Sequence, residues 1–144
     1  FFEEIYSIND GPPPEINLLN EKNNGEAVFN LIDNNLLSSV HDISAGGIIV
    51  ALAEMSIGSN YGIKINKPKS LSNLFEYFYG EDQGRYIIEV EKINLPKVQK
   101  TLKENNVFNE VLGVTQKNNF ELEGEFKIDI KDLYNINNKW YHNY

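Results

Sequence analysis

Ser39-Val-His-Asp-Ile-Ser-Ala-Gly-Gly-Ile-Ile-Val-Ala-Leu-Ala-Glu-Met55 is the stretch on which the reading of the whole chain turns. It reads as a short strand ending near His41-Asp42, a tight turn, and an apolar helix. Ser44 suits an N-cap, because its hydroxyl can accept a hydrogen bond from a free N–H of the first turn. Gly46 and Gly47 follow. Glycines there weaken a helix by about 1 kcal/mol each relative to alanine, so something needs the space. Two readings account for them. Free N–H groups at a helix start receive an anion, and glycine lets a phosphate come close; or helix and sheet pack tightly together. Ile48, Ile49, Leu52, Met55 and Ser56 recur at helical spacing, while Val50, Ala51, Ala53 and Ile57 widen the apolar surface to most of the circumference. Such a helix belongs in the middle of a core.

Upstream, residues 17–35 read as a helix, with Val28, Leu31, Ile32 and Leu36 at i, i+3, i+4 and i+8 and a stop at Asn34-Asn35. Before it, Gly11-Pro-Pro-Pro14 gives residues 1–16 the character of a stiff linker or strap, leaving residues 17–144 as a single domain. Downstream, Gly58-Ser59-Asn60 ends the central helix. Tyr61, Ile63 and Ile65 alternate as a strand closed by Pro68, and Ser70 or Ser72 caps a short helix through Leu74, Phe75, Phe78 and Tyr79. Residues 86–90 read as a strand and 95–105 as an amphipathic helix, with Leu95, Val98 and Leu102 inward and Lys97, Lys100 and Lys103 on a solvated face. Val111–Val114 reads as a strand. A hairpin follows, turning at Glu123-Gly124-Glu125, and the tail from Lys131 carries Leu133, Ile136 or Asn137, and Trp140 at helical spacing. Helices interleaved with strands predict an α+β fold: a mixed sheet covered by helices in three layers, α/β/α.

The chain has 144 residues, of which 41% are hydrophobic, enough for one domain with a real core. No apolar run approaches the ~20 residues that cross a bilayer. The formal charge of −8 argues against nucleic-acid binding, which needs clustered Lys and Arg. Cysteine is absent, which fits a cytoplasmic protein and removes thiol chemistry. Only His41 and His142 are histidines, so a zinc site of the His and Cys type is not expected. Phe1–Tyr6 lacks the features of a signal peptide, and the start without Met predicts a fragment or processed piece.

Two polar clusters can carry chemistry. His41-Asp42 lies at a strand end beside the glycine turn, and Glu81-Asp82-Gln83-Gly84-Arg85 lies just before another strand. Open sheets place ligands in such loops. Asp42 can ligate a nucleotide's magnesium or act as a turn acid. His41 can be a base or a structural hydrogen-bonding residue. Arg85, the one arginine of the chain, can clamp a phosphate or pair with the neighbouring acids. No complete Ser-His-Asp or P-loop pattern is present.

Val40–Met55 together with Phe78-Tyr-Gly-Glu-Asp-Gln-Gly-Arg-Tyr86 closely resembles the C-terminal end of phosphoribosylformylglycinamidine synthase. The Gly11–Pro14 strap, the Asn20-Glu-Lys-Asn-Asn24 helix start and the Leu133…Trp140 tail match as well, so the resemblance covers nearly the whole chain. It implies an AIR synthetase C-terminal-domain-like fold, partly ferredoxin-like, in the superfamily of AIR synthetase, selenophosphate synthetase and thiamine-monophosphate kinase. It further implies the second B domain of an enzyme built as two A–B repeats. That ligase uses ATP and magnesium to convert formylglycinamide ribonucleotide and glutamine-derived ammonia to the amidine, in de novo purine biosynthesis.

On this resemblance the A domains of the same polypeptide carry the catalytic histidine, and no residue of this chain is catalytic. His41, Asp42, Ser44, Gly46, Gly47, Glu81, Asp82, Gln83 and Arg85 line an auxiliary ADP or ATP site, with Asp42 its candidate metal ligand. The expected partners are the A domains and, in a multi-subunit enzyme, a glutaminase and small accessory subunits. An unpartnered docking face would favour self-association. One departure stands out: the family usually has an acid where this chain has Ala45, and losing that carboxylate weakens the case for metal at the turn. Two other readings remain at this stage. One is a freestanding nucleotide-binding or assembly module of the same superfamily. The other is the C-terminal domain of another synthetase or kinase of that superfamily.

Overall fold

The computed structural model describes residues 6–7, 15–67 and 73–142, with side chains as far as Lys139. The Gly11–Pro14 strap, Pro68, the caps Ser70 and Ser72 and the side chain of Trp140 lie outside the described residues. The elements run α1 (Leu18–Asp33), β1 (Ser39–Asp42), α2 (Gly47–Ser59), β2 (Gly62–Ile65), α3 (Leu74–Tyr79), β3 (Tyr86–Glu89), α4 (Leu95–Glu104), β4 (Gly113–Gln116), β5 (Asn119–Leu122), β6 (Phe126–Asp129) and α5 (Ile130–His142). The fold is α+β, with a mixed sheet and helices. Its strands fall into two sheets, a two-stranded ladder β1-β3 and a four-stranded sheet of order β4-β2-β5-β6. The chain divides into two compact units: one runs to Ala51 and resumes over Phe75–Glu110, and the other holds Leu52–Leu74 and the chain from Val111 onward.

In the first unit, Asn17 caps α1 by accepting from the Asn20 N–H at 3.0 Å. The helix leaves through Asn34 into Asn35, whose φ of +53° belongs to the left-handed region that asparagine tolerates. Its inward stripe is Ala27 and Leu31, which join Leu36 and the α4 residues Val98 and Leu102 in one cluster. Leu37, Ile88, Val90 and Val107 pack against that cluster. Ile32, expected inward, is 48% exposed; the stripe that α4 meets is centred one residue earlier. β1 and β3 pair antiparallel, with Ser39 opposite Glu89 and Asp42 opposite Tyr86. This register sets the end of the first polar cluster directly beside the end of the second. In the same unit, Tyr77 donates its hydroxyl to the Glu110 carboxylate. Burial, followed by that bond, pushes the Tyr77 hydroxyl well above its ordinary value.

In the second unit β2 is central, antiparallel to β4 and parallel to β5, while β5 and β6 form a hairpin. Ile65, Phe120 and Leu122 on the strands are buried, as are Leu52, Ser56 and Ile130 of the same unit, and the rings of Phe120 and Phe126 stack at 5.8 Å. β4 begins two residues later than the sequence pattern predicts, because its ladder with β2 runs from Gly113 opposite Ile65 to Gln116 opposite Gly62. Gln116 also donates its side-chain amide to the carbonyls of Ile63 and Asn119, at 3.2 and 2.9 Å.

Candidate functional site

The site is built on the glycine turn after β1 and the loop before β3. Helix α2 starts at Gly47, not after Ser44. Gly46 and Gly47 have φ of +84° and +71°, a left-handed pair that only glycine adopts without strain. Ser44 therefore stands ahead of the turn and serves it with its carbonyl, which accepts the Gly47 N–H at 3.1 Å. The reason for the second glycine is spatial as well. A Cβ on Gly47 would lie 2.6 Å from the Phe78 carbonyl oxygen and 2.8 Å from that of Gly80. The close-packing reading of the glycine pair thus holds at Gly47. At Gly46 the N–H points at an anion, and the anion is the chain's own: it donates to Glu81 Oε1 at 2.7 Å.

Arg85 is likewise engaged within its loop. Its Nη2 donates to the Gly80 carbonyl at 2.6 Å and pairs with Asp82 Oδ2 at 2.9 Å. His41 Nδ1 lies 2.5 Å from the carbonyl oxygen of Asp42. Asp42 itself is largely exposed at the strand end, with its carboxylate 3.7 Å from His41 Nδ1.

Around this framework lies an open depression of about 510 Å³, lined by Leu18, Glu21, Lys22, Asp42, Ile43, Gln83, Gly84, Arg85 and Tyr86. Of the residues singled out in the sequence, Asp42, Gln83 and Arg85 come together on its wall. His41, Ser44, Gly46, Gly47, Glu81 and Asp82 are not among its lining residues. Sequence reasoning missed the contribution of α1. Asn24 donates its side-chain amide to the Gly84 carbonyl at 2.9 Å, and Glu21 and Lys22 form one wall of the depression. The polar run Asn20–Asn24 at the helix start was the available signal.

Magnesium keeps near-octahedral geometry and is usually held by one or two carboxylates together with waters and phosphate oxygens, not by a cage of protein groups alone. Asp42 brings one exposed carboxylate, and among the described residues no group of three or more His, Cys, Asp or Glu side chains converges as a metal site. Ala45 adds none. The residues present do not fit a protein-built magnesium centre.

Residues 4–124 match the family described as AIR synthase related protein, C-terminal domain. The chain belongs to this family. Among relatives of this AIR synthase-related domain, phosphoribosylformylglycinamidine synthase subunit PurL of Pelagibacter ubique is 44% identical over 144 residues, all of this chain and 20% of its own length. The PurL subunit of Rhodopseudomonas palustris strain TIE-1 is 34% identical over the same span, again 20% of its length. The AIR synthase-related domain therefore spans about a fifth of the length of the curated relatives it matches. Its fold is that of phosphoribosylformylglycinamidine synthase II of Thermotoga maritima, with a TM-score of 0.72 at 15% identity over 84% of this chain and 22% of that one. PurLQS from the same organism matches with a TM-score of 0.70 at 17% identity, over 92% of this chain and 24% of that one. No helix among the described residues is long and apolar enough to cross a membrane.

Proposed function

We propose that this chain serves as the C-terminal domain of a phosphoribosylformylglycinamidine synthase. That enzyme is the ATP-dependent cytoplasmic ligase that turns formylglycinamide ribonucleotide and ammonia from glutamine into the amidine. The observation that carries the proposal is the 44% identity to a PurL subunit along the full 144 residues, including both loops of the candidate site. The domain's own task is to line an auxiliary site for ADP or ATP. The catalytic groups, and any magnesium beyond one ligand at Asp42, come from the A domains of the same polypeptide, with residues 17–144 forming one domain behind the 1–16 strap. A glutaminase and small accessory subunits complete the enzyme. Structures of the Thermotoga maritima relative in complex with ATP and with ADP support the choice of ligand.

The chemistry of the depression agrees with a nucleotide. Lys22 and Arg85 supply positive charge to its lining, Gln83 offers an amide that both donates and accepts, and the Tyr86 ring, 39% exposed, offers an apolar face. Asp42 and Gln83 also line it. Catalysis by this chain alone is not expected, because the catalytic groups are assigned to the A domains.

Titration of the chain with ADP tests the reading. Binding that shifts the backbone signals of residues 42–47 and 81–86, and that weakens in Gln83→Ala, is the expected result. Binding elsewhere, or turnover of ATP, ammonia and the ribonucleotide by this chain alone, would sink it.

A further inference from the structure

Three facts single out Glu81 within the second cluster. Its carboxylate accepts the Gly46 N–H at 2.7 Å, across 35 residues of sequence. It does not line the depression, although Asp42, Gln83, Gly84 and Arg85 on either side of it do. The loop that carries it is pinned at its other end by Arg85, through the Gly80 carbonyl and Asp82. One end of the loop is therefore held to the glycine turn and the other to itself, and Gln83 stands between the two anchors.

We propose that Glu81 is a positioning residue, whose carboxylate clips the Gly80–Arg85 loop to the Gly46 N–H and so fixes Gln83 over the depression, and that it makes no contact with the ligand itself. This deepens the nucleotide reading of the site and rests on it for the ligand alone. What the clip needs is an oxygen acceptor at the right reach. A backbone N–H bonded to a carboxylate is a strong hydrogen bond, but the amide oxygen of glutamine can also accept it. Alanine at position 81 leaves the N–H to water.

The role predicts a split between two substitutions. Hydrogen–deuterium exchange of the chain, read at the Gly46 amide, should be protected in the wild type. It should stay within about threefold of that in Glu81→Gln and speed up by about tenfold or more in Glu81→Ala. ADP affinity, measured alongside, should follow the same order, nearly kept in the glutamine variant and weakened in the alanine variant. Unchanged Gly46 exchange in Glu81→Ala would overturn the clip. Equal loss of ADP affinity in both variants, with Gly46 still protected in Glu81→Gln, would also overturn it, since a charge-bearing ligand contact behaves that way. A wild-type chain that takes no ADP would remove the nucleotide reading, while the exchange comparison still decides what Glu81 does.

Discussion

Arg85 donates from Nη2 to the carbonyl oxygen of Gly80 at 2.6 Å, closing the loop that carries Glu81, Asp82 and Gln83. Its pairing with Asp82 at 2.9 Å is largely solvated, since the Asp82 side chain is 58% exposed, and exposed ion pairs contribute little. The backbone contact is the one that matters. Both contacts are made by Nη2, while Nε lies 3.5 Å from the Asp82 carbonyl oxygen, so the loop wraps a planar group that a lysine ammonium does not reproduce. Arg85→Lys should therefore lower unfolding stability by about 1 kcal/mol and weaken ADP binding several-fold. Urea unfolding and calorimetric titration check both, and an unaltered ADP affinity would mean that the loop keeps its shape without the guanidinium.

Gly47→Ala should be among the most damaging single changes. The new Cβ would meet two backbone carbonyl oxygens at 2.6 and 2.8 Å, in a conformation with φ of +71°. Strain in that region and the clash together should amount to about 3 kcal/mol. Thermal unfolding should show it as a large fall in Tm, with Gly58→Ala as the control, since a Cβ there meets nothing within 4 Å. At Gly58 alanine should be neutral or mildly stabilising, as expected for a helix position.

Leu31→Ala removes a side chain that is 1% exposed in the cluster of α1 and α4. The lost burial and the cavity left behind should destabilise the chain by about 3 kcal/mol. Ile32→Ala, one position on and 48% exposed, should change stability by less than about 1 kcal/mol. Chemical denaturation of the pair checks this, and reversed costs would put Ile32 rather than Leu31 in the cluster.

Stability should decline on the alkaline side. The Tyr77 hydroxyl titrates above its ordinary 10.0 through burial and the bond to Glu110, and Lys64 titrates above its ordinary 10.5 through its hydrogen bond and charge pairing with Glu123 at 3.1 Å. In both cases the folded chain holds its proton more tightly than the unfolded chain. Each contribution is therefore complete below the unfolded value and is lost as pH rises through the folded one. Denaturation free energies followed upward from pH 9 should fall beyond about pH 10. The fall should be shallower in Tyr77→Phe; equal slopes in the two proteins would show that Tyr77 takes no part.

Much of this fold could be read from local pattern. The alternation at Ile63 and Ile65, the 3.6-residue spacing of Val98 and Leu102, and the Glu123-Gly124-Glu125 turn all carry signals that lie within a few residues of each other, and each element is found there. What local pattern could not supply was set by partners distant in sequence. The limits of β4 follow from its ladder with β2, the outward turn of Ile32 from where α4 lies, and the division of the strands between two sheets from pairing alone. The site behaves in the same way. Asp42, Gln83 and Arg85 were legible as polar residues at strand ends, whereas the roles of Glu81 and Asn24 depend on bonds to Gly46 and Gly84 that no spacing rule encodes. Ser44 misled for a physical reason: the cap pattern assumes right-handed entry into a helix, and the two glycines enter it left-handed.

The position of β2 in its sheet has a consequence for synthesis. Both of its neighbours, β4 and β5, lie C-terminal to the whole Phe75–Glu110 segment of the other unit. On a translating ribosome Gly62–Ile65 therefore emerges with both edges bare and stays so until the chain has grown past Gly113. Bare strand edges invite pairing with other chains. The helix α4 and the ladder β1-β3, whose partners are all made by then, can settle while the central strand is still waiting.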